Sequence, residues 1–348
     1  MSEVYKGISW NRQKITYDLI LWSGIVVYLA VFMGLTVALY PSATAETLLI
    51  RGFGTAALIL LHIVLITGPL SRLDARFLPL LYNRRHMGVT TFLLGLVHAV
   101  VATFQFHGFG ETNPLVSILI SNTRFFSVPD FPFQVLGLVA LIILFLMAVS
   151  SHDFWLKNLT APVWKGLHML VYVAYALLVG HVVLGVLQSE TNPVLAGALL
   201  VGLVVVIGLH ITAAGRESVN DRETEKGDDG FVRICHADEI PENKAVTRVV
   251  AGERVAVFRY EGKISAVSNV CQHQNGPLGE GEIIDGCITC PWHGFQYDPT
   301  TGASPPPFNE KVPTFEVKVE NGEVSVSGSP CEPGTHVEPA HIDEGDNG

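Results

Sequence analysis

Six stretches of about 20 residues contain no charged side chain, and they run approximately from Leu19 to Tyr40, Gly52 to Leu70, Met87 to Phe106, Phe133 to Ser151, Gly166 to Leu187 and Pro193 to Ala214. A hydrocarbon core of roughly 30 Å needs about 20 apolar residues in a helix, so each stretch is predicted to span a bilayer. Charge divides the chain at the same place. Residues 1–214 hold 11 Lys/Arg and 8 Asp/Glu, whereas residues 215–348 hold 11 Lys/Arg and 24 Asp/Glu. The formal charge of −10 is therefore +3 beside −13, which reads as one part in lipid and one in water. Neither part offers a basic stripe to neutralise phosphates, so nucleic acid is excluded as a partner.

Basic residues between the stretches set the expected orientation. Lys6, Arg12, Lys14, Arg72, Arg76, Arg84, Arg85, Lys157, Lys165, Arg216, Arg222 and Lys226 fall on one side, against Arg51 and Arg124 on the other. Cytoplasmic loops carry the Lys/Arg excess, so both termini are predicted to be cytoplasmic in a multi-pass protein of the plasma (inner) membrane. Ala43-Thr44-Ala45 imitates a signal-peptidase site. The 22-residue apolar run before it exceeds the usual signal-peptide core, and the first span is expected to stay uncleaved.

Histidine is costly inside a bilayer and marks candidate sites there. His98 lies about mid-way along the third stretch, while His168 and His181 share the fifth. Thirteen residues at 1.5 Å rise place the last two roughly 20 Å apart, too far to share one metal. Depth pairs His98 with His181 at one level and His168 with His86 nearer the cytoplasmic end. Two bis-imidazole haems fit this arrangement, with Gly95, Gly166 and Gly180 giving a flat macrocycle room. His62 competes with His86 for the inner place, since twelve residues of ideal helix turn His86 about 120° from His98. The plain alternative is that these histidines only hydrogen-bond between helices. His107, His152 and His210 lie near span ends and are read as interfacial.

The soluble part is predicted to be β-rich, with strands at Arg254 to Tyr260, Lys263 to Asn269, Glu282 to Thr289, Thr314 to Glu320 and Glu323 to Ser327, and a hairpin turn at Glu320-Asn321-Gly322. Set into it are Cys271-Gln272-His273 and, after 16 residues, Cys290-Pro291-Trp292-His293-Gly294. Two Cys and two His suit zinc or a Rieske [2Fe-2S] centre. A Cys-x-His pair with a Cys-x-x-His pair gives each loop one thiolate and one imidazole, which favours the cluster. Gly276, Gly279, Gly281 and Gly294 permit tight turns around it. Cys287 is read as a buried structural thiol. Cys235 and Cys331 lack a motif partner, and a reducing cytosol makes disulfides unexpected.

Two resemblances follow from these residues. Leu65 to Leu73, Arg84-Arg85-His86-Met87-Gly88, Leu96-Val97-His98 and Leu167 to Tyr172 with His181 resemble the ferric reductase-like transmembrane domain over residues 19–214. That family includes the haem-binding membrane subunit of the bacterial methionine sulfoxide reductase system, the NADPH oxidases and metalloreductases. The likeness implies that His98, His168 and His181 match haem ligands, and His86 departs from an apolar place in the membrane-subunit branch. Residues 231–328 resemble Rieske-type ferredoxins, including Asp285-Gly286 and Tyr297 to Gly302. This implies Cys271 and Cys290 on one iron and His273 and His293 on the other. Gly276 and Trp292 stand where high-potential relatives carry a disulfide, and Phe295 stands where they carry a Ser. A potential near the low end of the Rieske range, about −150 mV, is expected.

The expected organisation is a multidomain membrane protein: an N-terminal cytoplasmic segment (1–18), an all-α six-helix transmembrane bundle (19–214), a linker (215–230), an all-β Rieske domain (231–328) and a disordered acidic tail (329–348). No Gly-rich dinucleotide fingerprint is present. The expected function is membrane-bound electron transfer between the cytoplasmic cluster and one or two b-type haems. A soluble ferredoxin or reductase is the expected partner at the cytoplasmic face, and a quinone or an outer-face acceptor the terminus. Reverse flow from quinol to a cytosolic oxygenase, and a non-catalytic redox or iron sensor, are the alternatives.

Overall fold

The computed structural model describes residues 12–81, 84–152, 155, 159, 161–189, 193–220, 230–272, 276–291, 294–306 and 308–342. They form two compact units, one helical and one β-rich, each treated by itself below.

The helices are α1 (Arg12–Leu39), α2 (Ala45–Leu73), α3 (Leu78–Leu81), α4 (Arg84–His107), α5 (Pro114–Ile120), α6 (Phe133–Ser150), α7 (Ala161–Met169), α8 (Val171–Leu184), α9 (Val186–Ser189) and α10 (Pro193–Asn220). Among the described residues, six segments are long and apolar enough to cross a membrane: Ile15–Leu39, Ala45–Leu73, Arg84–His107, Phe133–Ser150, Gly166–Ser189 and Pro193–Arg216. These are the six expected. Their outer surfaces are apolar too, with Val26 61% and Leu35 58% exposed on α1. In water such faces would drive aggregation, whereas lipid tails solvate them. Helical backbone satisfies its own polar groups, as a bilayer demands, apart from the donor missing at Pro69 in α2, and buried hydroxyls bond locally. Thr67 donates to the Ile63 carbonyl and Thr91 to that of Met87.

Three small cores tie the bundle together. Ile25, Ala56, Leu60, Val64, Met87 and Leu94 join α1, α2 and α4. Phe92, Ala140, Leu144 and Ala174 join α4, α6 and α8, where the fully buried Ala140 and Ala174 let α6 and α8 approach closely. Leu61, Leu65, Val171, Tyr175 and Val206 join α2, α8 and α10. The fifth span differs from a continuous helix. It breaks at Leu170, between α7 and α8, and at Gly185, where a Cβ would meet Phe133 Cδ2 at 2.6 Å.

The β-rich unit contains β1 (Phe231–His236), β2 (Ala245–Val250), β3 (Glu253–Tyr260), β4 (Lys263–Ser268), β5 (Glu282–Ile284), β6 (Cys287–Thr289), β7 (Gln296–Tyr297), β8 (Thr314–Phe315), β9 (Val317–Glu320), β10 (Glu323–Ser327) and β11 (Ala340–His341). They build antiparallel sheets in the orders β1-β10-β9, β11-β4-β3-β2 with β8 also on β4, and β5-β6-β7. Strand β3 shows why the alternation matters. Val255 and Val257 face one core with Ile240, Ile264 and Phe315, while Ala256 and Phe258 face a second with Leu278, Ile288 and Tyr297.

Two-residue turns fix the registers. Ala251-Gly252, Glu261-Gly262, Asp285-Gly286 and Asn321-Gly322 all have positive φ at both positions, the signature of a type I′ hairpin. The expected turn at Asn321-Gly322 is therefore present. Asp285-Gly286 folds Glu282–Thr289, read as one strand, into the β5–β6 hairpin. The expected strand from Thr314 to Glu320 divides at Glu316, whose carbonyl accepts from Ser327 N–H instead.

Two boundaries move. The first six residues expected as linker continue α10 to Asn220, and Arg216 donates to the Leu73 carbonyl at 2.7 Å. Residues 221–229 lie outside the described ones. The stretch expected as a disordered tail folds back on the domain through residue 342. Cys331 N–H bonds Thr314 O, Val337 N–H bonds Thr300 O, β11 pairs with β4 and Ile342 packs on the first core. Val337 and Ile342 supply the apolar contacts that an acidic, Pro- and Gly-containing composition conceals. Residues 343–348 of that tail lie outside the described ones.

Candidate functional site

The histidines sort by what each ring nitrogen does. A neutral imidazole carries one N–H donor and one lone pair, and a carbonyl only accepts. His98 Nδ1 lies 2.8 Å from Ile50 O on α2, and His181 Nδ1 lies 2.9 Å from Phe133 O on α6. In both rings Nδ1 therefore holds the hydrogen and Nε2 keeps the lone pair. Metal-bound imidazoles are oriented by such a bond from the distal nitrogen.

His98 and His181 come together, with ring centroids 6.2 Å apart and planes at 89°. Two metal–imidazole bonds of about 2.0–2.1 Å, each with roughly 1.2 Å from nitrogen to ring centre, ask for a separation of about 6.4 Å. The spacing is close to what two imidazoles that shared one metal ion would need.

His168 lies on α7. Its Nδ1 donates to Trp164 O at 3.0 Å, and the Trp164 ring stacks on it at 3.8 Å and 25°. Ser151 Oγ is 3.3 Å from His168 Nε2, yet its single hydrogen goes to Met147 O at 2.7 Å. Ser151 therefore does not donate to His168 Nε2, which sets His168 apart from a ring bonded to a phenol. His86 Nδ1 sits 2.8 Å from an Asp18 carboxylate oxygen on α1, the carboxylate–imidazole arrangement that orients metal ligands elsewhere. His86 and His168 are thus steadied by different elements, His86 by Asp18 on α1 and His168 by Trp164 on its own helix.

His62 and His210 behave otherwise. His62 Nδ1 donates to Leu58 O and its Nε2 accepts from Tyr175 Oη at 3.0 Å, with Gly202 pressed against the ring. His210 Nδ1 donates to Val206 O and its Nε2 accepts from Tyr172 Oη at 3.0 Å. Both spend the lone pair on a phenol, the helix-to-helix bonding that was the plain alternative. His107 bonds Ser117 at 2.8 Å near the end of α4.

In the β-rich unit, Cys271 follows β4 and Cys290 follows β6, 1% and 2% exposed in the second core. Each loop is closed by its own backbone. Cys271 N–H bonds Gly276 O, Cys290 N–H bonds Phe295 O and Gly294 N–H bonds Cys290 O, with Gly294 at φ +71°. Gly279 and Gly281 are needed for close approach, since a Cβ on Gly279 would strike Thr247 and one on Gly281 the Thr289 carbonyl. His273 and His293 lie outside the described residues, so the described donor set is the two thiols.

Tyr297 on β7 supports this set. Gln272 N–H donates to its oxygen at 2.9 Å, which leaves the phenolic hydrogen for Cys271 Sγ at 3.4 Å. Burial pushes the phenol well above its usual range, so it remains a donor. Buried sulfurs with backbone-closed loops and a hydroxyl donor suit a thiolate-held cluster. No disulfide joins any of the five cysteines. Burial pushes Cys235 to about 11, a protonated thiol at neutral pH; Cys287, expected to be buried, is half-buried, and its burial raises it as well.

Sequence reasoning did not find Asp18, Trp164, Tyr175 or the acceptors Ile50 and Phe133. Asp18 alone carried a signal, as an acid at the entrance of an apolar run.

Residues 230–316 match the Rieske [2Fe-2S] domain, and residues 53–179 match the ferric reductase like transmembrane component. The anthranilate 1,2-dioxygenase ferredoxin subunit of Burkholderia cepacia is 34% identical over 91 residues, 26% of this chain and 84% of that protein. The ferredoxin component of the alkene monooxygenase system of Xanthobacter autotrophicus is 29% identical over 30% of this chain and 88% of its own length. Cholesterol 7-desaturase of Ciona intestinalis is 30% identical, but the chain spans only 24% of it. Among solved structures, the ferredoxin of carbazole 1,9a-dioxygenase from Nocardioides aromaticivorans shares 29% identity over 28% of this chain and 96% of that one, with a TM-score of 0.27.

Proposed function

We propose that this chain, which belongs to the Rieske [2Fe-2S] domain family through residues 230–316 and carries a ferric reductase like transmembrane component over residues 53–179, links a cytoplasmic [2Fe-2S] cluster to b-type haems in the bilayer. It is a multi-pass membrane oxidoreductase of electron transfer. In the reading favoured here a soluble ferredoxin or reductase delivers electrons on the cytoplasmic side, where both termini lie. A quinone or an acceptor at the outer face of the plasma membrane receives them. When bound, the cluster and the haems supply the one-electron redox capacity that no side chain here has.

The chain's own residues bind, orient and tune. Cys271 and Cys290 would hold one iron and His273 and His293 the other, with Tyr297 donating toward Cys271 Sγ. His98 and His181 would hold the outer haem. His168, with His86 steadied by Asp18, would hold the inner one. The relatives support a soluble partner, since the Burkholderia and Xanthobacter proteins are named as ferredoxin parts of oxygenase systems.

The observation that carries this reading is the shared tautomer of His98 and His181, each with Nδ1–H on a neighbouring helix and the rings 6.2 Å apart. A potentiometric titration of the purified protein, followed optically and by EPR, tests it. Expected are a Rieske signal and b-type bands, with one haem component lost in His98→Ala and another in His86→Ala. A preparation without b-type bands would sink the reading.

A further inference from the structure

His98 and His181 are gripped in the same way on opposite sides. The acceptor for His98 Nδ1 is the carbonyl of Ile50, and four residues further along α2 stands Gly54. The acceptor for His181 Nδ1 is the carbonyl of Phe133, and four residues further along α6 stands Gly137. Residues i and i+4 of a helix are stacked on one face, so a side chain at either glycine would project over the accepting carbonyl, where the imidazole lies.

The clearances bear this out. A Cβ on Gly54 would come 2.7 Å from His98 Nδ1 and 3.1 Å from its Cε1, and one on Gly137 would come 2.8 Å from His181 Nδ1 and 2.9 Å from its Cε1. Gly24, Gly88 and Gly197, by contrast, would meet nothing within 4 Å. Each ring is thus fixed in two ways: the carbonyl sets where Nδ1 points, and the glycine surface sets how the ring may turn about that bond.

We propose that Gly54 and Gly137 are positioning residues which, with the Ile50 and Phe133 carbonyls, hold the His98 and His181 imidazole planes crossed at the observed 89°. This rests on the reading of the two histidines as one axial pair. Crossed axial imidazoles act on different π-symmetry d orbitals of the iron, leaving the two nearly degenerate. Parallel imidazoles act on the same orbital and split them. The first arrangement gives low-spin ferric haem a strongly anisotropic EPR spectrum with one large low-field feature, and the second gives three resolved lines.

Low-temperature EPR of the oxidised full-length protein tests this, with haem content measured as the pyridine complex and the Rieske signal after reduction counting folded molecules. His98→Ala marks the component concerned. That component is expected as the single low-field feature in wild type and in Gly197→Ala. In Gly54→Ala and Gly137→Ala it should shift toward three lines, or one haem equivalent should be lost while the Rieske signal persists. A three-line component in wild type overturns the proposal even if a glycine variant fails to fold. Wild-type spectrum and haem content in both glycine variants overturn it as well. Absence of haem from wild type would instead overturn the proposed function, so the two failures are distinct.

Discussion

Tyr175 on α8 gives its hydroxyl hydrogen to Nε2 of His62 on α2 across 3.0 Å, so the lone pair a metal would need is already engaged. His62→Leu is therefore expected to retain wild-type haem content and spectrum, while His98→Leu loses a haem. Tyr175→Phe removes the partner of His62 Nε2 while Nδ1 keeps Leu58 O, and should cost about 1 kcal/mol of bundle stability, read from thermal unfolding in detergent.

Tyr297 is expected to tune the cluster rather than hold it. Its hydrogen bond toward Cys271 Sγ stabilises the more negative, reduced form. Tyr297→Phe should lower the potential by about 40 mV, the equivalent of roughly 1 kcal/mol for one electron. Cys271→Ser or Cys290→Ser should instead abolish the Rieske EPR signal.

Asp298 gives the soluble domain an acid limb. Burial alone would raise its carboxyl, but the Thr300 hydroxyl, the Thr301 and Thr300 amides and the Thr301 hydroxyl donate to it and hold it below its ordinary value. A depressed carboxyl contributes stability that is present above its unfolded pKa, roughly 4, and lost as pH falls through the folded one. Asp298→Asn should flatten that acid-side decline when cluster retention is followed against pH. An unchanged slope would assign the decline to other carboxylates.

The C-terminal stretch is structural. Removing residues 330–348 deletes the Cys331, Val337 and Ile342 backbone bonds, the β11–β4 pairing and the burial of Ile342. Net contributions of about 1 kcal/mol per bond and per partly buried aliphatic group, offset in part by the entropy of ordering the stretch, suggest a loss on the order of 3 kcal/mol. The visible circular dichroism of the cluster in the full-length variant should then vanish on the order of 10 °C or more below wild type.

The spans were readable in the sequence because a bilayer leaves one signal, an uncharged run of fixed length. The cluster loops were readable because Cys271-x-His273 and Cys290-x-x-His293 concentrate ligands locally. Turn chemistry is legible at Asn321-Gly322, whereas Asp285-Gly286 lies inside a run whose apolar residues read as one strand. Ala251-Gly252 and Glu261-Gly262 carry the same geometry on residues with weaker preference for it. The tail was hidden by composition, since Val337 and Ile342 are sparse among acids, prolines and glycines. The haem-ligand candidates were found by residue type and depth. Both His98 and His62 carry hydrogen on Nδ1, bonded to Ile50 O and Leu58 O; what separates them is that Tyr175, 113 residues from His62 in sequence, engages the Nε2 lone pair of His62.

The joint at Leu170 bears on how the two histidines of this span are aimed. In one unbroken helix the thirteen residues from His168 to His181 would lock their bearings about 140° apart around the axis. Leu170 N–H bonds Leu167 O, three residues back, which winds the chain locally tighter than the helices on either side. The bearing of His181 relative to His168 is therefore set by this tighter turn as well as by the residue count between them.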